Sequence, residues 1–172
     1  ELAAKDNMPA LKKGCENLKV HIENMRSFGI PVVVTINKFT DDKQQETDFV
    51  RKYALDNGAS FAVPIDPWAK GGDGCIEAAE AVVKACEMPN NFHFLYPDDL
   101  SIEEKIETIA KKIYRADGVD YSPQAKKRIK LYTKLGYGKL PINMAKTHLS
   151  LSHDPELKGA PKGFRVPVRD IR

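Results

Sequence analysis

GIPVVVTINKFTDD, residues 29–42, is the stretch that decides the fold. Ile30 to Asn37 form a continuous apolar, β-branched run with Gly29 before it and polar residues after it, which suits a strand buried on both faces of a parallel sheet. Upstream, residues 8–28 carry Leu11, Leu18, Ile22 and Met25 at helical spacing, with Pro9 in a first-turn position. Gly29 stops that helix. Downstream, Asp41 or Asp42 is placed to cap a second helix reaching Asp56, with Phe49, Val50, Tyr53 and Ala54 inward and Asn57-Gly58 as its end. SFAVPI (60–65) is the next strand, WAKGGDG (68–74) a loop and CIEAAEAVVKACE (75–87) a third helix. Two strands joined by a helix of this length predict a right-handed parallel βαβ unit, and so an α/β fold.

The remainder is less uniform. SIEEKIETIAKKIY opens on a capping box, Ser101 with Glu104, and turns Ile102, Ile106, Ile109 and Ile113 to one face. SPQAKKRIKLYTKLG starts with Ser122 as cap and Pro123 in the first turn and stops at Gly136. KLPINMAK (139–146) reads as a strand, residues 147–164 as a long Pro- and Gly-punctuated loop, and RVPVRDIR as a strand-like run. The expected organisation is therefore a βαβ portion over residues 1–97 and a helical, loop-rich, basic portion over 98–172.

Composition sets the class. The chain has 172 residues, 42% hydrophobic and 30% charged, enough for one globular domain or one with a small appendage. No run approaches the roughly 18 apolar residues that a membrane span needs. Cys15, Cys75 and Cys86 form no C-x-x-C pair and leave an odd thiol, which argues for a reducing compartment, the cytoplasm by default, and against a zinc framework. The net charge of +3 is unevenly spread: residues 1–100 hold 11 basic against 16 acidic groups, and residues 101–172 hold 16 against 8. The densest basic run, Ala125 to Lys134, lies on a helical pattern and reads as a solvated face, not as a nucleic-acid surface.

Chemistry points to the strand ends. In parallel sheets ligands sit beyond the carboxyl ends of the strands. Phe39 and Trp68 each lie just past such an end, so both are expected on one rim, where two aromatic faces can sandwich a flat heterocycle. Next to Trp68, Gly71 and Gly72 remove side chains and let backbone approach a ligand. The alternative for those glycines is a plain turn needing positive φ. Asn37, Asp41, Asp42 and Asp66 share the rim and offer polar groups. His148 and His153, with Ser150 and Ser152, have no third ligand nearby and no G-x-S-x-G, so they read as solvated loop side chains, and no metal site is expected.

The strand running into Asn37-Lys38 is worded like the base-recognition end of a P-loop GTPase. However, the guanine motif needs an Asp at position 40, where Thr stands, and no G-x-x-x-x-G-K-[ST] occurs in the 172 residues. A GTPase-like nucleotide-binding domain and a non-catalytic assembly domain stay as alternatives.

Four segments, NLKVHIENMRSFGIPVVVTINKF (17–39), WAKGGDG (68–74), IYRADGVDY (113–121) and GYGKLPINMAKTHLSLSHDP (136–155), resemble in order the wording of formate–tetrahydrofolate ligase, also called 10-formyltetrahydrofolate synthetase. That resemblance implies a P-loop-NTPase-related fold and an ATP- and magnesium-dependent enzyme. In that family ATP phosphorylates formate to formyl phosphate, and N10 of tetrahydrofolate attacks it to give 10-formyltetrahydrofolate. It also implies that the phosphate loop lies N-terminal to this piece, which alone supplies the folate side and does not turn over. The two aromatics that hold the pterin in that family correspond by motif to Phe39 and Trp68, and a homo-oligomer, a tetramer, is expected of the intact enzyme. Lys43 stands where that family's wording leads one to expect Thr.

Overall fold

The computed structural model describes residues 7–144 and 150–172, which fall into two compact units divided between His93 and Phe94. In the first unit, helix α1 (Met8–Arg26) starts on Asn7, whose side chain accepts the Ala10 N–H at 3.1 Å, with Pro9 inside the first turn. Its buried face carries Cys15, Val20 and Ile22, while Met25, expected inward, is 45% exposed. Strand β1 (Val33–Asn37) follows, then helix α2 (Gln44–Asp56) and strand β2 (Phe61–Ile65). The strands pair in parallel with Val33 opposite Phe61 and Asn37 opposite Ile65.

Side-chain alternation splits this unit into three layers. Ala62 and Val34 face the α1–α2 side, where Ile22, Ala54 and Ala59 complete one apolar cluster. Val33, Phe61, Val63 and Ile65 face the other way, onto Ala78 and Ala81 of helix α4 (Ile76–Glu87). The α/β expectation holds, but β1 is not buried on both faces as expected. Val33 and Val34 are half-buried and Thr35 is exposed. The reason is geometric: among the described residues β1 has a strand on one side only, and α4 lies more over β2 than over β1.

Two local expectations are corrected. Neither Asp41 nor Asp42 caps α2: the N-cap position is Lys43, and its N–H donates to the Glu46 carboxylate at 3.3 Å. WAKGGDG is not an open loop. Pro67–Lys70 make one helical turn, α3, and Gly71–Cys75 continue as 3-10 helix into α4.

The second unit is built on helix α5 (Ile102–Lys112), strand β3 (Gly118–Tyr121), helix α6 (Pro123–Lys134) and strand β4 (Arg165–Val168), with β3 and β4 parallel. Both helices start as the sequence indicates. The Ser101 hydroxyl accepts from Glu104 N–H while the Glu104 carboxylate accepts from Ser101 N–H at 2.8 Å, and the Ser122 hydroxyl accepts from Ala125 N–H at 3.0 Å. Ile102, Ile106, Ala110, Ala116, Val119, Ile129 and Phe164 form its core.

Residues 139–144 are not the expected strand. Tyr137–Lys139 turn as 3-10 helix and Pro141–Met144 are irregular. Side chains from elsewhere hold this segment: Lys105 Nζ, fully buried, donates to the Gly138 and Leu140 carbonyls at 2.9 and 3.1 Å, and Tyr96 Oη meets Ile142 N–H at 2.9 Å. His148 lies outside the described residues. His153 is exposed as expected, but Ser152 is buried, its hydroxyl accepting the Asp154 N–H at 3.0 Å.

Candidate functional site

Parallel pairing brings the carboxyl ends of β1 and β2 to one edge. Asn37 is in register with Ile65, and the next N–H, on Lys38, donates to the Ile65 carbonyl at 2.8 Å. Phe39 follows two residues after Asn37, and Trp68 three after Ile65, so both leave the sheet at this rim. Both are presented to solvent: Phe39 is 62% exposed and Trp68 81%, the two highest values among the large apolar residues described in the first unit. Neither makes a ring–ring contact among the described residues.

The turns that carry the two rings are each closed by a carboxylate. Asp42 Oδ2 accepts the Phe39 N–H at 2.8 Å, and Asp42 N–H returns to the Phe39 carbonyl at 3.1 Å. Asp66 is the N-cap of α3, accepting from Ala69 N–H at 3.3 Å, with Lys70 Nζ 3.9 Å from its other oxygen. Asp-Pro at a helix start is a capping signal that sequence reasoning missed, because a four-residue helix is too short to show a period. Asn37 is exposed at the end of β1, and Asp41 is exposed beside Asp42.

The glycines divide by role. Gly71 sits at φ 55°, ψ −138°, a region that L side chains rarely adopt, and Gly72 does not have positive φ. A Cβ on either would meet nothing within 4 Å, so their outer surface is open. At Gly74 a Cβ would overlap the Asp66 carbonyl, because Asp66 N–H donates to the Gly74 carbonyl at 3.0 Å and the two backbones lie in contact. Gly74 therefore holds the turn together and Gly71 and Gly72 line its open side.

A concavity elsewhere in this unit, on the outer edge of β2, is lined by Arg51, Leu55, Glu77, Glu80 and Lys84. It is open and strongly charged, and neither rim aromatic lines it, so it is a poorer place for a flat organic ligand. Among the described residues no group of three or more His, Cys, Asp or Glu is arranged to hold a metal, and no helix is long and apolar enough to cross a membrane. The three cysteines are free: Cys15 is buried, where burial pushes its thiol pKa up, Cys75 half-buried and Cys86 exposed.

The family model of formate–tetrahydrofolate ligase matches residues 1–172. A formate–tetrahydrofolate ligase of Desulforamulus reducens is 57% identical over 172 residues, all of this chain and 30% of that protein. The mitochondrial C-1-tetrahydrofolate synthase of Saccharomyces cerevisiae is 50% identical over 167 residues, 97% of this chain and 17% of that protein. The human cytoplasmic C-1-tetrahydrofolate synthase is 49% identical over 167 residues, 97% of this chain and 18% of that protein. The chain thus spans less than a third of the length of these curated relatives.

Proposed function

The chain belongs to the formate–tetrahydrofolate ligase family, and from that membership we propose that it forms the folate side of an ATP-dependent ligase joining formate to tetrahydrofolate. The observation that carries this reading is the pair Phe39 and Trp68, two solvent-facing aromatic rings at the same edge of one parallel sheet. A large ring kept mostly in water contributes little to the fold, whereas a flat heterocycle between two such faces gains stacking from both.

The clamp supplies orientation. It holds the pterin so that the N10 amine reaches the carbonyl carbon of formyl phosphate. There the C–N bond forms, the C–O bond to phosphate breaks, phosphate leaves and the amine gives up its proton. Positioning of this sort removes the entropic part of the barrier. Asn37, Asp42 and Asp66 lie at the rim to meet the polar edge of the pterin, while Gly71 and Gly72 leave room for it. ATP, magnesium and the phosphate loop fall to the part of the protein beyond these residues, so the 172-residue chain alone binds folate without turnover. Formate, ATP and tetrahydrofolate are the partners of the intact enzyme, which is a homo-oligomer working in the cytoplasm.

Trp68 is the only tryptophan, so its fluorescence reports on the clamp directly. Tetrahydrofolate titrated into the chain is expected to quench it saturably, and Phe39→Ala to abolish the saturation. The reading is overturned if a cooperatively melting chain shows no saturable quenching and Phe39→Ala leaves the folate KM of the full-length ligase unchanged.

A further inference from the structure

Helix α6 carries charge of one sign only. PQAKKRIKLYTK holds Lys126, Lys127, Arg128, Lys130 and Lys134 and no acidic residue, so its first turn lacks the carboxylate that a helix N-terminus favours. Ala125 and Ile129 are buried against the core, and Lys126, Lys127, Lys130 and Lys134 share the exposed side. Lys126, Lys130 and Lys134 stand four residues apart, a spacing at which like charges repel. Helices α1, α2 and α5 each pair a lysine with a carboxylate one turn away, Lys19 with Glu23, Lys52 with Asp56 and Lys111 with Glu107. The lysines of α6 have no ion-pair or hydrogen-bond partner among the described residues. A solvated face, as the sequence pattern alone reads it, accounts for their exposure but not for a stripe that weakens its own helix.

The stripe runs into an exposed aromatic ring. After Leu135 the chain turns at Gly136, with φ 86°, and Tyr137 opens the 3-10 turn that ends on Lys139. Tyr137 is 51% exposed, with its ring centroid 6.3 Å from that of Tyr132. A rise of about 1.5 Å per residue sets the stripe lysines about 6 Å apart along the helix. A row of cations thus leads to a flat ring.

We propose that this face of the second unit binds single-stranded nucleic acid, with the lysines meeting successive phosphates and Tyr137 carrying a base. Cations in a row match a backbone with one charge per nucleotide, and an exposed ring among them supplies the stacking that single strands add to charge. A duplex offers phosphates but no free base face to Tyr137. An anionic lipid surface takes up the apolar face of a helix, and α6 turns that face to the core through Ala125 and Ile129. The proposal uses no residue of the folate rim and stands whether or not that rim binds folate.

Fluorescence polarisation of a labelled oligouridylate with the full-length ligase tests it. Neutralising about four phosphates, each adding about 0.7 to the salt slope, predicts binding about 50-fold weaker at about 200 mM than at about 50 mM salt. One variant combining Lys126→Gln, Lys130→Gln and Lys134→Gln is expected to reduce that ratio to about threefold and, with the repulsion gone, to melt no earlier than the parent. Tyr137→Ala should weaken binding roughly 5- to 150-fold with the salt dependence unchanged. Absence of saturable binding, a salt dependence kept by the triple variant, or a Tyr137→Ala protein that binds like the parent would overturn the proposal. An earlier melt of the triple variant would overturn it by making the lysines structural. Displacement of the strand by phosphatidylglycerol vesicles but not by unlabelled oligouridylate would overturn it by assigning the stripe to a membrane surface.

Discussion

Truncating Phe39 or Trp68 separates a binding surface from a packing surface. In the free protein both rings are mostly in water, 62% and 81% exposed, and neither stacks on another ring, so Phe39→Ala and Trp68→Ala remove little that the fold uses. Surface substitutions of this kind change stability by about 0.5 kcal/mol or less, whereas truncating a buried aromatic costs about 3–5 kcal/mol. Stacking on a heterocycle is another matter: about 1–3 kcal/mol per ring, with about 1.4 kcal/mol to each factor of ten, gives a loss of roughly 5- to 150-fold in tetrahydrofolate affinity for each substitution. Two faces on one ligand also predict coupling, since a pterin freed from one side is less well held against the other. The double variant should then lose less than the product of the two single losses. Phe39→Leu keeps an apolar side chain but no π face and should behave nearly like Phe39→Ala. Calorimetric titration of tetrahydrofolate into the full-length ligase gives the affinities, and thermal melts of the same samples give the stabilities. Unchanged affinity in both single variants would refute the clamp; lost affinity with a melting temperature lower by many degrees would show that the rings are structural.

The neighbouring turns and the second unit yield further outcomes. Asp42→Ala removes the acceptor of the Phe39 N–H, a contribution of about 1 kcal/mol typical of a side-chain cap, and should raise the folate KM several-fold with little effect on kcat; Asp66→Ala should do the same through Trp68. Gly72→Ala should leave the melting temperature unaltered and read only in folate affinity, because a Cβ there meets nothing, while Gly74→Ala collides with the Asp66 carbonyl and should lower the melting temperature. Lys105→Met fills the same space but strands the Gly138 and Leu140 carbonyls, a loss of about 1–3 kcal/mol for each unsatisfied group, visible as an earlier melt and faster proteolysis after Lys139. Tyr121 is pushed up to about 12, first by burial and then by the charges of Glu103 and Glu107. A folded-state value above the unfolded one favours the folded state below the ordinary tyrosine range. Stability should thus decline as pH rises from about 10, and absorbance at the phenolate band should show one tyrosine ionising near 12.

What the sequence made legible was whatever carries a period. β1, β2, α1, α2, α4, α5 and α6 are all visible in the spacing of their apolar residues, and the caps Ser101 and Ser122 stand where hydroxyls precede such spacing. Strand β3 was not visible: GVDY offers four residues, one a glycine and one an aspartate, and its partner lies 47 residues further along. Lys105 was equally hidden, since a lysine among glutamates in SIEEKIE reads as solvated, and the carbonyls that bury it are 33 and 35 residues away. At the rim, strand order and a right-handed crossover were enough to put Phe39 and Trp68 at one edge. Asp42 was misread as a helix cap because a side chain that closes its own turn looks, in sequence, the same as one that caps the next helix.

That misreading bears on why the strand resembles one end of a guanine site. A guanine-binding strand end presents a carboxylate three residues after Asn to the edge of the base; here Thr40 stands at that position. The carboxylate that follows, Asp42, turns back to fix the Phe39 backbone, which sends the phenyl ring out into solvent. One strand end can thus read a flat ring by its edge or by its face, depending on whether the aspartate points at the ligand or at the chain. Stacking is tolerant of which atoms sit at a ring's edge and hydrogen bonding is not, so an enzyme using this rim would select its substrate by ring size and by the attached chain more than by pattern of donors. Substituting Thr40→Asp tests the distinction: it should create no measurable affinity for GTP and should leave tetrahydrofolate binding within about threefold, as expected of an exposed side chain outside the stack.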